Sequence, residues 1–470
     1  MSPRMLLALV LACVLNWGMA WCADEGGKTR EGKKARAAEG EDAESEAPAE
    51  KDDVPVPLTG AVIYTMDAPP STPALEVLEE RESITQFGIT WTFDRKARVG
   101  QFITRDWYVV GPVKIVKIAP QPLFGSEVKA QDKGAVKESK LDANKLARNG
   151  STLNFPAVAP REKAGKGYNG AGFDSRIPAG RYDPELFTPL PIEMKPGDSL
   201  VSSISKEELG DEHNLHIKCV KLVAVLSCVA EPQPPDAFRP SFSASRTCKP
   251  YLARNLKREL LHSLKRPTTE KYRGAATPSI PELVRAMQMP WCDGSGMNLG
   301  TPLQNFPLGA YGANQATTTG MAALYLNLDY TPAEKEPLLL NLIQVGIDDF
   351  GMARDGRTWP AHGGLNSGRK WPIVFAGMLL DDPEMKELKK TLPDSVFQED
   401  QQTALCPVTY RGQTFERGWT GAKAVFMGHS IEGFGGARGS WEGGFGPVDL
   451  FHPKDWPDRP SGMKEGLKKS

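Results

Sequence analysis

Cysteine is scarce in this chain. Seven in 470 residues is far below the density of small secreted scaffolds built on disulfides, so a hydrophobic core must carry the fold. A surplus of either charge is also missing, with 57 Lys and Arg against 58 Asp and Glu. General polyanion binders carry a clear basic excess, which argues against nucleic acid as a partner. Beyond the N-terminal start, no apolar run is long enough to cross a bilayer, so no integral membrane segment is expected. A Walker loop, HExxH and GxSxG are absent, which removes three nucleotide, zinc and hydrolase signatures. His213 and His216 lack a convincing metal-ligand spacing. Neither a metal nor a cofactor is expected.

What is present locates the chain better than it explains it. The length gives a prior of about three domains at roughly 150 residues each. Hydrophobic residues make up 40%, enough for a real core, and 46 Gly with 39 Pro point to many loops. Arg4, the apolar run 5–14 (MLLALVLACV), and Gly18 and Ala20 at the −3 and −1 positions read as a signal peptide over 1–20. The expected destination is secreted, periplasmic or cell-surface. Cys22 follows Trp21, a bulky residue that the lipoprotein signal does not use. Residues 21–56 follow as a charged linker, basic around Lys28 to Arg36 and acidic from Glu39 to Glu50. Such a composition cannot offset its ordering entropy, so disorder is expected there.

From 57 to 240 the signals are those of strands. Residues 84–93 (ITQFGITWTF) alternate, as do 100–111 and 113–118 (VKIVKI), with Gly and Pro at their bounds. Residues 192–204 read as strand, Pro-Gly-Asp turn and strand, and 215–229 as one long β segment. Between them, 124–184 lacks periodicity and is read as a long decorated loop. An antiparallel β-sandwich is the economical architecture. Cys219, Cys228 and Cys248 leave a disulfide open without fixing its connectivity.

From 241 to 395 the period becomes helical. Leu252, Leu256, Leu260 and Leu264 recur every fourth residue, 281–289 is a short candidate, and 314–328 follows the i, i+3, i+4, i+7 rule. Thr331-Pro332 opens a helix to about Phe350, with Glu334 in its first turn. Pro372 opens another through Leu380, and Pro383 a short one through Lys390. Short connections make these antiparallel hairpins. The remainder, 396–470, is Gly-rich without clear periodicity.

The densest polar cluster is 359–371, WPAHGGLNSGRKW. Arg369 and Lys370 should precede a helix N-terminus, where unpaired N–H groups already favour an anion and an Arg fork adds carboxylate recognition. Trp359 and Trp371 offer faces for a sugar ring. In β-elimination the uronate carboxylate must be neutralised and a base must take the C5 proton. Arg369 and Asn366 suit the first role and His362 the second, with Tyr311 an alternative base. The competing reading makes the tryptophans core plugs and the cations a solvated rim. A second cluster, 428–446, gathers His429, Glu432, Arg438, Trp441 and Glu442 among glycines. Asn314 has a carboxylate-binding role open to it, against a plainer one as helix N-cap. For glycoside hydrolysis, Glu432 with Glu442, or Asp348 or Asp349, are carboxylates without a spacing that selects a pair.

The stretch 331–385 (TPAEKEPLLLNLIQVGIDDFGMARDGRTWPAHGGLNSGRKWPIVFAGMLLDDPEM) resembles a group of exported bacterial proteins of planctomycete type. Residues 87–113 and the PPDAFRPSF stretch at 234–242 resemble their front half, and SGRKWP is the most specific piece. The resemblance spans about 87–402. It implies an α/α-toroid-like helical domain similar to alginate and heparin lyases, and it carries over no catalytic residue. The helical segments here amount to about half of a closed toroid, so an incomplete one is expected. Together these readings give an exported carbohydrate-active protein, a polysaccharide lyase on an acidic glycan, with a non-catalytic glycan-binding or structural envelope protein as the alternative. Nothing in the sequence encodes the oligomeric state.

Overall fold

The computed structural model describes residues 61–125, 143–158, 172–176, 182–207, 219–243, 250–267, 271–272, 275–276, 278–292, 312–360, 366–410, 412–426, 449–450 and 452. The signal and linker readings over 1–56 lie outside these residues. In chain order the front half holds β1 (Glu79–Gln86), β2 (Ile89–Gln101), β3 (Trp107–Val110), β4 (Val113–Ala119), β5 (Leu123–Phe124), β6 (Ala147–Arg148), β7 (Ser151–Leu153), β8 (Ile192–Met194), β9 (Ser199–Ser205) and β10 (Val220–Val229). Run 84–93, read as one strand, folds as a hairpin. Phe87 and Gly88 both take positive φ (49° and 74°), the two-residue turn whose twist matches paired strands.

β1 lies along one edge of β2, while β3 and β4 follow one another along the other edge. β8 pairs with β4, and β10 runs parallel to β3 before β9 and β7 complete the order. The result is one curled, mixed half-barrel of eight strands. This corrects the antiparallel β-sandwich. Register irregularities at Arg81/Ser83 and Thr92/Phe93 are of the kind that bends and twists a sheet, so one sheet wraps its own core instead of facing a second.

Both faces of the inner strands are buried. Leu200, Ala224 and Leu226 point into the core inside the curl, with Trp91, Ile115 and Ile192. Their neighbours Val201, Val223 and Val225 point the other way, into a core shared with Phe155, Phe242, Leu283 and Ile343. This two-sided burial explains the near-continuous apolar run of β10. Each fully buried branched side chain contributes about 1.5–3 kcal/mol. The stretch 124–184, read as a loop, supplies buried Phe155, Phe173 and Tyr182. Cys219 and Cys228 sit nine positions apart on one extended segment, about 30 Å at the strand rise, so they do not bridge each other. Cys248 lies outside the described residues, as do His213 and His216.

The helices are α1 (Ile280–Gln288), α2 (Gly312–Leu326), α3 (Pro332–Arg354), α4 (Lys370–Leu380), α5 (Pro383–Lys386), α6 (Leu388–Thr391) and α7 (Gln398–Gln402). Thr331 and Glu334 form a reciprocal capping box with Pro332 at the first turn, as their spacing dictates. α3 is buried on every side from Lys335 to Ala353. Such a helix is the central post of its layer. At Gly346 an added Cβ would stand 2.4 Å from the Pro372 carbonyl oxygen and 2.6 Å from Ala376 Cβ, so glycine sets the α3–α4 spacing.

The α/α-toroid is therefore corrected as well. A toroid arranges hairpins of comparable helices in a ring, whereas here one helix fills the centre and α5, α6 and α7 have four or five residues each. The leucine-rich segment 251–264 is not an α-helix either. It forms two 3-10 turns, because its backbone is taken elsewhere: Ala253 donates to Asp236, Lys257 to Leu379, and Leu264 to Asn327. Short strand pairs follow α7: β11 (Thr403–Leu405) with β14 (Ala424–Phe426), and β12 (Val408–Tyr410) with β13 (Gln413–Phe415). All described residues belong to one compact unit, Val56–Trp456. Among them, no helix is long and apolar enough to cross a membrane.

Candidate functional site

Arg239 is the clasp between the sheet and α3. Its guanidinium donates to Asp106 at 2.9 Å and to both oxygens of Asp348 at 3.0 and 2.6 Å. Asp106 also accepts from Gln86 (2.6 Å) and Thr104 (2.9 Å), and Asp348 from Gln344 (3.4 Å). Burial raises Asp348 against the pull of Arg239, leaving it at about 6. Burial pulls on Arg239 too, and the two carboxylates more than reverse it. Every charged group here is answered by hydrogen bonds, which marks a structural joint.

The next residue, Asp349, turns to the other side of α3 and meets a different setting. After α3, Trp359 donates its backbone N–H to the Val396 carbonyl (2.6 Å) and stacks on Phe397 with centroids 5.7 Å apart. Three N–H groups of the following turn then meet three consecutive residues of α7. Asn366 donates to Gln398 (3.3 Å), Gly368 to Glu399 (2.7 Å), and the Lys370 ammonium to Asp400. Asn366 Nδ2 also donates to the Pro360 carbonyl at 2.6 Å, so both ends of the 361–365 segment are tied to the start of α7. Gly368 has φ +93° and packs on α2, where an added Cβ would stand 3.0 Å from the Gln315 carbonyl carbon. Only glycine suits that backbone and that approach.

Five side chains stand at this junction with polar atoms that have no hydrogen-bond partner among the described residues: Gln315 through both amide atoms, Asp349 through Oδ2, Glu399 through Oε2, and Trp359 and Trp371 through the indole N–H. Gln315 and Asp349 are buried, while Glu399 is half-buried with its carboxyl oxygen shielded. Burial, then Asp348 and Glu399, hold Asp349 well above the usual carboxylate range. Burial also raises Glu399, against the N–H of Gly368 and the charge of Arg369. Arg369 lies inside the same cluster, 1% exposed and donating to the Ser367 carbonyl at 2.6 Å. Burial brings it down to about 9, opposed by Glu399.

The sequence candidates thus separate. Asn366, Arg369, Lys370 and Trp371 come together beside α7. Arg369 faces inward, where a polymer cannot reach its fork. Trp359 is fully buried and has no free face for a sugar, whereas Trp371 is half-buried at the rim. Asn314 sits inside the first turn of α2, which starts at Gly312, instead of capping it, and its side chain is outside the description. His362, Tyr311, His429, Glu432, Arg438, Trp441 and Glu442 all lie outside the described residues. Sequence reasoning missed Glu399 and Gln315. The acidic doublet after Val396-Phe397 was the available signal for Glu399, and Gln315 closes the YGANQ stretch. Among the described residues, no group of three His, Cys, Asp or Glu is arranged to hold a metal ion. Set against known proteins, the chain matches no family model, no curated protein and no solved structure.

Proposed function

We propose that this protein is an exported carbohydrate-active enzyme, a lyase that cleaves a uronate-containing polysaccharide by β-elimination. The observation that carries the reading is the ladder between the 366–370 turn and Gln398, Glu399 and Asp400. It fixes an acid, a cation and a half-buried tryptophan at the C-terminal end of the segment that bears His362. Lys370 meets the uronate carboxylate in exchange for Asp400, Trp371 packs against a sugar ring, and His362 or Tyr311 takes the C5 proton. The inward setting of Arg369 and Trp359 favours a second reading, a glycan-binding protein without catalysis.

The test is to incubate the mature protein with a panel of acidic polysaccharides and follow the ultraviolet absorbance of unsaturated uronates. A rise abolished by His362→Ala supports the lyase. Retardation on polysaccharide gels with no rise supports the binding protein, and silence in both assays rejects both.

A further inference from the structure

Trp419 stands apart from the other described tryptophans. Trp91, Trp291 and Trp359 are core, Trp107 and Trp371 are half-buried, and Trp419 is 45% exposed. The turn that carries it is closely braced. Gly418 donates to the Ala422 carbonyl (2.8 Å), Gly421 to the Gly418 carbonyl (2.9 Å), and the backbone N–H of Trp419 to the Asp449 carbonyl (3.0 Å). Gly421 takes φ +82°, a left-handed value that favours glycine. The Arg417 guanidinium donates across the turn to the Gly421 carbonyl at 3.0 Å. The His452 ring meets the indole with centroids 4.9 Å apart. An indole held out on a backbone fixed in this way loses little freedom when a ligand covers it.

Charge points the same way. Arg417 and Lys423 are exposed and flank the Gly418–Ala422 hydrogen bond at the feet of the turn. Elsewhere on the surface Lys257, Arg266 and Arg354 are each answered by a carboxylate. Among the described residues, Arg417 and Lys423 are answered by none. The carboxylates close to the turn are Glu416, which is exposed, and Asp449, whose Oδ2 accepts the Phe426 N–H at 2.8 Å. The turn leads into β14, and β14 pairs with β11, which begins where α7 ends. Trp419 is thereby joined through two strands to the helix that holds the 366–370 turn.

We propose that Trp419, Arg417 and Lys423 form a second saccharide contact, which takes one uronate unit of a polysaccharide. The inference rests on the glycan reading for its polymer and on this turn for its site. The apolar C–H face of a pyranose packs against the indole, and the two cations meet the uronate carboxylate.

Electrophoresis of the full chain through gels containing a polyuronate tests the contact. Trp419→Ala, an exposed substitution, should keep the wild-type melting temperature and weaken retardation about tenfold. Lys423→Gln should weaken retardation in the polyuronate and leave migration in a neutral glucan gel unchanged. Titration with uronate oligosaccharides should shift wild-type tryptophan emission to shorter wavelength, and Trp419→Phe should lose that shift. Full retardation of Trp419→Ala, or an emission shift retained in Trp419→Phe, overturns the contact and leaves the glycan reading standing. Retardation lost together with melting temperature also overturns it, by making Trp419 a support of the turn. A wild-type protein that no polyuronate retards removes the glycan reading and the contact with it.

Discussion

Asp348 and Asp349 are neighbours on one buried helix, yet Asp348 shares the Arg239 guanidinium with Asp106, whereas the charges acting on Asp349 are the carboxyls of Asp348 and Glu399. Asp348 and its companion Asp106 are supplied with donors by Arg239, Gln86, Thr104 and Gln344. Asp349 and Glu399 leave an oxygen each without one. A helix turns about 100° per residue, so a single step along α3 passes from the sheet-facing joint to the α7-facing cluster. The comparison teaches that hydrogen-bond supply distinguishes a buried charge kept for stability from one held in a state useful for chemistry.

The largest effect should come from breaking the satisfied side. Arg239→Met leaves Asp106 and Asp348 buried without their cation and should cost about 3–5 kcal/mol in denaturant unfolding. The two tryptophans extend the contrast. Trp359→Ala should cost about 3–5 kcal/mol, the range for a large aromatic removed from a core, while Trp371→Ala at the rim should cost clearly less and weaken glycan retardation instead.

On the unsatisfied side the sign reverses. A carboxyl raised in the folded state favours folding in acid, below the unfolded value near 4. That contribution is lost as pH rises through the folded value. Asp349→Asn should therefore stabilise the protein at neutral and alkaline pH and flatten its stability profile there. The smallest effect belongs to Lys370→Met. Its pairing with Asp400 is largely shielded, with side chains 22% and 8% exposed, but Lys370 still reaches solvent, so melting should fall less than for Arg239→Met while KM for an acidic polysaccharide rises.

Local signals were legible where local chemistry decides. The Thr331-Pro332-x-Glu334 start of α3 and the β8–β9 turn at Pro196-Gly197 were readable because caps and turns depend on a few adjacent residues. Segment 251–264 was misread because its leucine spacing is helical while its N–H groups are claimed by Asp236, Leu379 and Asn327. The half-barrel was hidden for a related reason: β3 and β10 pair in parallel across a long separation that leaves no local mark. At the site, the Arg-Lys-Trp turn stood out by composition. Its partners Gln398 to Asp400 and the inward setting of Arg369 follow only from packing, as does the raised state of Asp349.

The most direct measurement is the free energy of unfolding against pH, from mildly acidic to alkaline, for wild type, Asp349→Asn and Arg239→Met. The expected result is a wild-type curve that falls as pH rises, an Asp349→Asn curve that is flatter and higher in the alkaline range, and an Arg239→Met curve that is low throughout. An Asp349→Asn protein destabilised at every pH, like Arg239→Met, would contradict the distinction between the two neighbouring aspartates.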